Sequence, residues 1–321
     1  MAVSVSILSW NIQILGQTKA DRNLATDLLA MIIAQSGADI VVVEELVFNY
    51  GDEVFTRLVA GLRQMNQNDW DGTFIQALPN GSDRDGYLFL WRSAYKQQVI
   101  GGKKVQDVFT GDWPLNWSTR NGRRPGYVGL TLADGTHPFI VVGYHAPVRD
   151  NMSGSAPATA LDALAKQGAH ILTYSDGGAK NYEARFFCAD FNLDINDASN
   201  FAQYYLPAMT TTKTTNVTVA NTELMSINSV PVPPPTNSAA YIVKNVDNIL
   251  VGPFANLINA RVINIIDQIA DKDIVRVIES FFYTNNVKWW WEPKIAYSRF
   301  LFTRTYISDH LPVQANFTVV P

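Results

Sequence analysis

The sequence predicts an α/β fold in which two packed sheets carry helices on their outer faces. Three observations lead there. Strand-like and helix-like segments alternate along most of the chain, with crossings long enough to leave one sheet and return. Hydrophobic residues make up 47% of the 321 positions and charged residues 17%, so a large core is expected and disorder is not. No fixed-period repeat is present, which sets aside solenoids and propellers. We read 1–321 as one domain.

The elements follow from periodicity. Val3 to Trp10 reads as a buried strand. Asp21 to Ala34 has helical spacing at Leu24, Leu28, Leu29, Ile32 and Ile33. Asp39 to Val43 is a β-branched run ending in Glu44 and Glu45. Asp52 to Met65 places Val54, Leu58, Val59 and Leu62 on one helix face. Strands are expected at Thr73–Ala77, Gly86–Trp91 and Lys96–Ile100, separated by turn residues. Gly126–Leu132 and Pro138–Tyr144 form a hairpin pattern around Asp134-Gly135. Ala158–Leu172 reads as a helix and Arg185–Asp190 as a short buried strand. The Thr- and Pro-rich stretch from about 210 to 238 reads as a loop insertion, because strand signals resume at Tyr241–Leu250. A helix over Asp267–Phe282 and strands near Arg299–Thr303 and Val313–Val319 complete the pattern.

Charge and cysteine content narrow the function. The net charge of -4 and pI of about 5.6 exclude a uniformly basic nucleic-acid-coating surface, while leaving room for a local basic cleft. One cysteine, Cys188, cannot form an intrachain disulfide and leans towards a reducing compartment such as the cytoplasm. No signal-peptide pattern opens the chain, and a mature secreted form stays open beside the cytoplasmic reading. No apolar run approaches the ~20 residues that span a bilayer.

Polar residues gather at strand ends. Asn11 follows the first strand, and Glu44 and Glu45 end the second. His145, Asp190 and Asn192 sit at the ends of later strands; Asp247 lies before Leu250, and Asp309 and His310 precede the last strand. Singly, each is an ordinary turn, cap or solvated residue. Together they are hard oxygen donors suited to Mg²⁺, with Mn²⁺ or Ca²⁺ as alternatives, plus two imidazoles that titrate near neutral pH. His137 and His170 read as surface positions, and no Cys/His cluster has zinc spacing.

Taken in order, the segments Ser9–Gln13 (SWNIQ), Ala38–Leu46 (ADIVVVEEL), Gly86–Arg92 (GYLFLWR), Arg123–Leu130 (RRPGYVGL), Val141–Pro147 (VVGYHAP), Ala189–Asp194 (ADFNLD), Val246–Leu250 (VDNIL) and Ser308–Val313 (SDHLPV) resemble the successive motifs of the endonuclease/exonuclease/phosphatase family. The resemblance spans nearly the whole chain. It implies a four-layered α/β sandwich of two mainly antiparallel sheets flanked by helices, as in DNase I, with the active site at one edge. It implies Glu45 as the main metal ligand, with Asn11 and Asp309 close to the metal. By the same resemblance, Asp190 and Asn192 position the attacking water and hold the phosphate. His310, oriented by Asp247, and His145 contact phosphate oxygens and handle protons. In the DNase I branch the counterpart of His145 has a carboxylate partner, where Asp85 stands here. Arg123 or Arg124 resembles that branch's phosphate-binding arginine.

The sequence departs from the family pattern at three places. Ala189 replaces the usual Gly, Tyr144 the common Thr, and Glu44 the usual Gln before the metal-binding Glu. Because successive strand residues point to opposite sides, only one of Glu44 and Glu45 is expected to reach the metal, and family register favours Glu45.

Three functions compete. A nuclease on DNA is favoured by the Arg-Arg-Pro element and by Asp85. A phosphodiesterase or phosphatase on a membrane lipid headgroup is the alternative, motivated by Phe281, Phe282, Tyr283 and Trp289 to Trp291, which suit a bilayer interface if exposed. A binding-only relative is the third, and the complete set of polar motif residues argues against it.

Overall fold

A computed structural model describes residues 2–15, 24–47, 50–77, 86–108, 124–145, 184–190, 210–211, 219–220, 242–244, 247–251, 255–285, 291–308 and 310–319. Among these the strands are β1 (Val3–Leu15), β2 (Ile40–Leu46), β3 (Trp70–Gln76), β4 (Gly86–Arg92), β5 (Tyr95–Gln97), β6 (Val99–Ile100), β7 (Lys103–Lys104), β8 (Gln106–Val108), β9 (Gly126–Leu132), β10 (Phe139–His145), β11 (Ala184–Asp190), β12 (Thr210–Thr211), β13 (Val219–Ala220), β14 (Ile242–Lys244), β15 (Asp247–Val251), β16 (Ala255–Val262) and β17 (Val313–Val319). The helices are α1 (Leu24–Ser36), α2 (Gly51–Gln64), α3 (Ile265–Gln268), α4 (Lys272–Asn285) and α5 (Ala296–Phe302), the last running into a π-helical turn at Thr303–Ile307.

The first sheet has the order β16-β17-β1-β2-β4-β3, and the second β12-β15-β11-β10-β9-β5, with β8 also pairing β9. Both are mainly antiparallel; β1–β2 and β10–β11 are the parallel pairs. Two cores result. One lies between the first sheet and the helices, where Leu8, Trp10, Val41 and Val43 meet Leu28, Leu58 and Ile278. The other lies between the sheets, where Ile7, Val42 and Phe89 meet Val128, Val141 and Phe186. On β1, β2 and β4, period-two alternation sends successive residues to the two cores in turn.

The inter-sheet rows set up the site. On β1 the inward row is Val5, Ile7, Ser9, Asn11; on β2 it is Ile40, Val42, Glu44. On β10 it is Phe139, Val141, Gly143, His145; on β11, Phe186, Cys188, Asp190; on β15, read backwards, Val251, Ile249, Asp247. Each row is apolar along its length and turns polar at one common end. Gly143 lets the sheets approach closely: a Cβ there would lie 3.0 Å from Val42 Cγ1.

Several expectations are corrected. Arg299–Thr303 is helix and π-turn, not strand. Its alternating Phe300 and Phe302 mimic period two, but both pack into the helical core. Arg299 stitches that helix to α3 through Ile266 O at 2.7 Å and Asp267 Oδ1 at 3.2 Å. The helix expected over Asp267–Phe282 is two helices. Asp271 Oδ1 accepts from Asp273 N at 2.9 Å, starting α4 with its own cap. β16 adds a strand beyond those expected and pairs with β17. Lys96–Ile100 is interrupted at Gln98, and Tyr241–Leu250 yields β14 and β15. Within the 210–238 insertion, Thr210–Thr211 pairs β15 and Val219–Ala220 pairs β14. The helix expected at Ala158–Leu172 lies outside the described residues. Among the described residues, no helix is long and apolar enough to cross a membrane.

Candidate active site

Register brings the polar strand ends together. Across the second sheet His145 pairs with Asp190, and Asp190 with Asp247. Across the first, Asn11 pairs with Glu44. The two rows face one another at the end of the inter-sheet core.

Asp190 Oδ2 is the point of convergence. Asn11 Nδ2 donates to it at 3.0 Å, His145 Nε2 lies 3.6 Å away and His310 Nε2 3.7 Å away. Asn11 Nδ2 also donates to Glu45 Oε1 at 3.3 Å, and His145 Nε2 is 3.2 Å from that same oxygen. His310 Nδ1 is 2.9 Å from Asp247 Oδ2, so an Nδ1–H fixes the ring and leaves Nε2 directed at Asp190.

Glu44 lies against the Asp190 backbone, and Glu45 against the Asn11 and His145 side chains. Glu45 has φ +61°, in the left-handed region, which breaks the strand alternation and turns its side chain towards Asn11 and His145. Such a conformation in a non-glycine residue is strained and is often kept at functional positions. The two carboxyls are not equivalent. Both Glu44 oxygens are engaged: Ser9 Oγ lies 3.2 Å from Oε1, and Asp190 N–H donates to Oε2 at 3.0 Å. Burial, then the negative charges of Asp247 and Asp190, pushes the Glu44 carboxyl well above the usual range. The Glu45 side chain retains 14% exposure and faces the cleft.

Supporting contacts that the sequence reading passed over hold this arrangement. Ser308 Oγ donates to Asn11 O at 2.7 Å and accepts from His310 N at 3.0 Å. Trp10 Nε1 donates to His310 O at 3.1 Å. The His145 N–H donates to Tyr87 Oη at 3.3 Å. Ser9 and Ser308 were visible in sequence as polar residues two positions from Asn11 and His310. Their partners, 297 and 35 residues away, were not.

Arg124 opens the approach to β9, and its backbone N–H donates to Ala77 O at 3.3 Å. Gly126 pairs with Gly143, the last matched pair of β9 and β10 on the side of His145. Arg123, Asp85, Asn192 and Asp309 lie outside the described residues. Trp291, partly buried, packs against the helical core, with Phe302 at 4.9 Å and Phe282 at 6.1 Å; Trp289 and Trp290 lie outside the described residues.

A divalent cation suits this chemistry. Glu45 Oε1 and Asp190 Oδ2 are held beside one Asn11 amide, with a further buried carboxyl whose ionisation like charges oppose. Asp190, Asp247 and His310 also bring one ligand-capable atom each within 4.8 Å of one another.

Comparison with known proteins agrees with the geometry. A family model described as "Endonuclease/Exonuclease/phosphatase family" matches residues 8–310. Among curated proteins there is no match. Solved structures share the fold at low identity. An endonuclease/exonuclease/phosphatase from Bacteroides vulgatus is 14% identical, with a TM-score of 0.60 over 99% of each chain. A mannosyl-6-phosphatase from Bacteroides thetaiotaomicron is 12% identical, with a TM-score of 0.60 over 98% of this chain and 99% of its own. D. rerio TDP2 complexed with a single-strand DNA product is 17% identical, with a TM-score of 0.56 over 98% of each chain.

Proposed function

This chain belongs to the endonuclease/exonuclease/phosphatase family, and on that premise we propose that it is a metal-dependent phosphodiesterase acting on DNA as a nuclease. The observation that carries the hydrolytic reading is the convergence of Asn11, His145 and His310 on Asp190 Oδ2.

In this reading Asp190, with Asn192, orients the attacking water and accepts its proton. His310, held by Asp247, presents Nε2 to a non-bridging phosphate oxygen. Placed beside Glu45 and Asp190, His145 donates to the charge that develops on phosphorus oxygens. Glu45 and Asn11, with Asp309, would hold Mg²⁺, or Mn²⁺ or Ca²⁺ in its place. When bound, that ion supplies Lewis acidity towards the phosphoryl group. Arg123 and Arg124 supply cationic contacts to the flanking backbone.

DNA is favoured over a lipid headgroup because the Arg-Arg-Pro element resembles a phosphate-binding arginine element, and because Trp291, part of the run that motivated the lipid reading, packs on the helical core, while Tyr283 of that run is exposed. The D. rerio TDP2 structure with its DNA product is consistent with this choice. A substrate panel with Mg²⁺ tests it: plasmid DNA, single-stranded DNA, RNA, phosphoinositide, sphingomyelin and a sugar phosphate. DNA cleavage well above all others is expected. Selective release of phosphate from the sugar phosphate or phosphoinositide would overturn the nuclease reading while leaving the hydrolytic site in place.

A further inference from the structure

Tyr87 reaches the candidate site from the opposite sheet. It lies on β4 of the first sheet, fully buried, and its side chain packs into the inter-sheet core. Two glycines of the second sheet make room for it. Gly126 on β9 and Gly143 on β10 pair with one another. A Cβ on Gly126 would lie 2.7 Å from Tyr87 Cδ2, and a Cβ on Gly143 would lie 3.2 Å from Tyr87 Cδ1. Opposite edges of one ring therefore rest on two paired glycines, and a side chain at Gly126 would drive the ring from its seat.

That seat fixes where the hydroxyl goes. The matched register of β9 and β10 ends at the glycine pair, two residues short of His145. Just beyond it, Tyr87 Oη accepts from the His145 backbone N–H at 3.3 Å. His145 is buried, so its N–H depends on protein acceptors. The same residue carries Nε2 to 3.2 Å from Glu45 Oε1 and 3.6 Å from Asp190 Oδ2. Those separations depend on where the backbone of β10 stands at its last residue. Phenylalanine would fill the glycine slot equally well and bring no polar atom that needs a partner. Packing therefore accounts for the ring, and the contact with His145 accounts for the hydroxyl.

We propose that Tyr87 is a positioning residue for His145: seated on the Gly126–Gly143 pair, its hydroxyl holds the His145 backbone so that Nε2 stays directed at the Glu45 and Asp190 carboxylates. Its effect on rate presupposes the phosphodiesterase reading; the contact itself does not.

The test is a cycle of Tyr87→Phe and His145→Ala, assayed on plasmid DNA with Mg²⁺, together with spectra of the ¹⁵N-histidine-labelled chain without metal. Tyr87→Phe is expected to lower kcat by about tenfold and change KM by less than about twofold, as misplacement of one group in the site does. In the His145→Ala background the same change should cost less than about twofold, because the ring it positions is gone. The His145 backbone amide, identified as the signal missing in His145→Ala, should move upfield in Tyr87→Phe through loss of its acceptor. An unchanged kcat for Tyr87→Phe, an unmoved His145 amide, or the same fold loss in both backgrounds would each overturn the proposal; the last would make the hydroxyl's role independent of His145. A wild-type chain inert on plasmid would overturn the nuclease reading and with it the effect on rate, while the amide shift would still decide whether Tyr87 holds His145.

Discussion

His310 Nδ1 lies 2.9 Å from Asp247 Oδ2, and the opposite ring nitrogen lies 3.7 Å from Asp190 Oδ2. One imidazole thus links two carboxylates that stand side by side on β11 and β15. The Asp247 contact defines the tautomer, and the Asp190 contact places Nε2 in the cleft.

From this pairing, His310→Ala lowers kcat by about 10² or more, the scale of one positioned proton-handling group. Asp247→Asn acts in the same direction. The double variant falls little further than the worse single one, because the two residues act as a unit. A kinetic cycle measures this directly, and additive losses contradict the pairing.

The inequivalence of Glu44 and Glu45 gives a second test. Glu44→Gln keeps both hydrogen bonds, since a carboxamide can accept from Asp190 N–H and donate to Ser9 Oγ. Its effect on metal dependence is mild. Glu45→Gln removes the carboxylate oxygen that faces Asn11 and His145, and the Mg²⁺ concentration needed for half-activity rises by about tenfold or more, in line with loss of a charged ligand. Metal titrations in which Glu44→Gln is the more damaging change would reverse the assignment.

Metal dependence itself follows from the oxygen-rich donor set. Exhaustive chelation with EDTA abolishes hydrolysis, and Mg²⁺ or Mn²⁺ restores it; Zn²⁺ restores little, because the set lacks soft sulfur ligands. Full activity after chelation contradicts the donor assignment.

Cys188 reports on the inter-sheet core. Burial, then the Glu44 charge, pushes its thiol well above the usual range, so almost no thiolate is present at neutral pH. The native protein therefore reacts with a thiol reagent at least about 100-fold more slowly than the unfolded chain, because reaction requires opening of the core. Equal rates would mean that the sheets do not close over this residue.

Much of the site was legible because it sits where strands end. Rows such as Ile40, Val42, Glu44 change from apolar to polar within the sequence, and the motif order supplied their grouping. The left-handed turn at Glu45 was not legible: a period-two reading sends it away from Glu44, and only the backbone at φ +61° returns it. Helices near the C-terminus were misread for a similar reason. Phe300 and Phe302 alternate like a strand, but both are buried in the helical core, Phe302 against Phe282 and Tyr306, and this packing overrides the local pattern.

The most direct test of the central claim is nicking of supercoiled plasmid by Mg²⁺-loaded enzyme, compared with Asp190→Asn and His310→Ala. The wild-type chain is expected to convert the plasmid to open-circular and linear forms, with both variants reduced by about 10² or more. Plasmid left intact by the wild-type protein, or cleaved equally by all three, would contradict the claim that the residues gathered around Asp190 Oδ2 form a DNA-cleaving phosphodiesterase site.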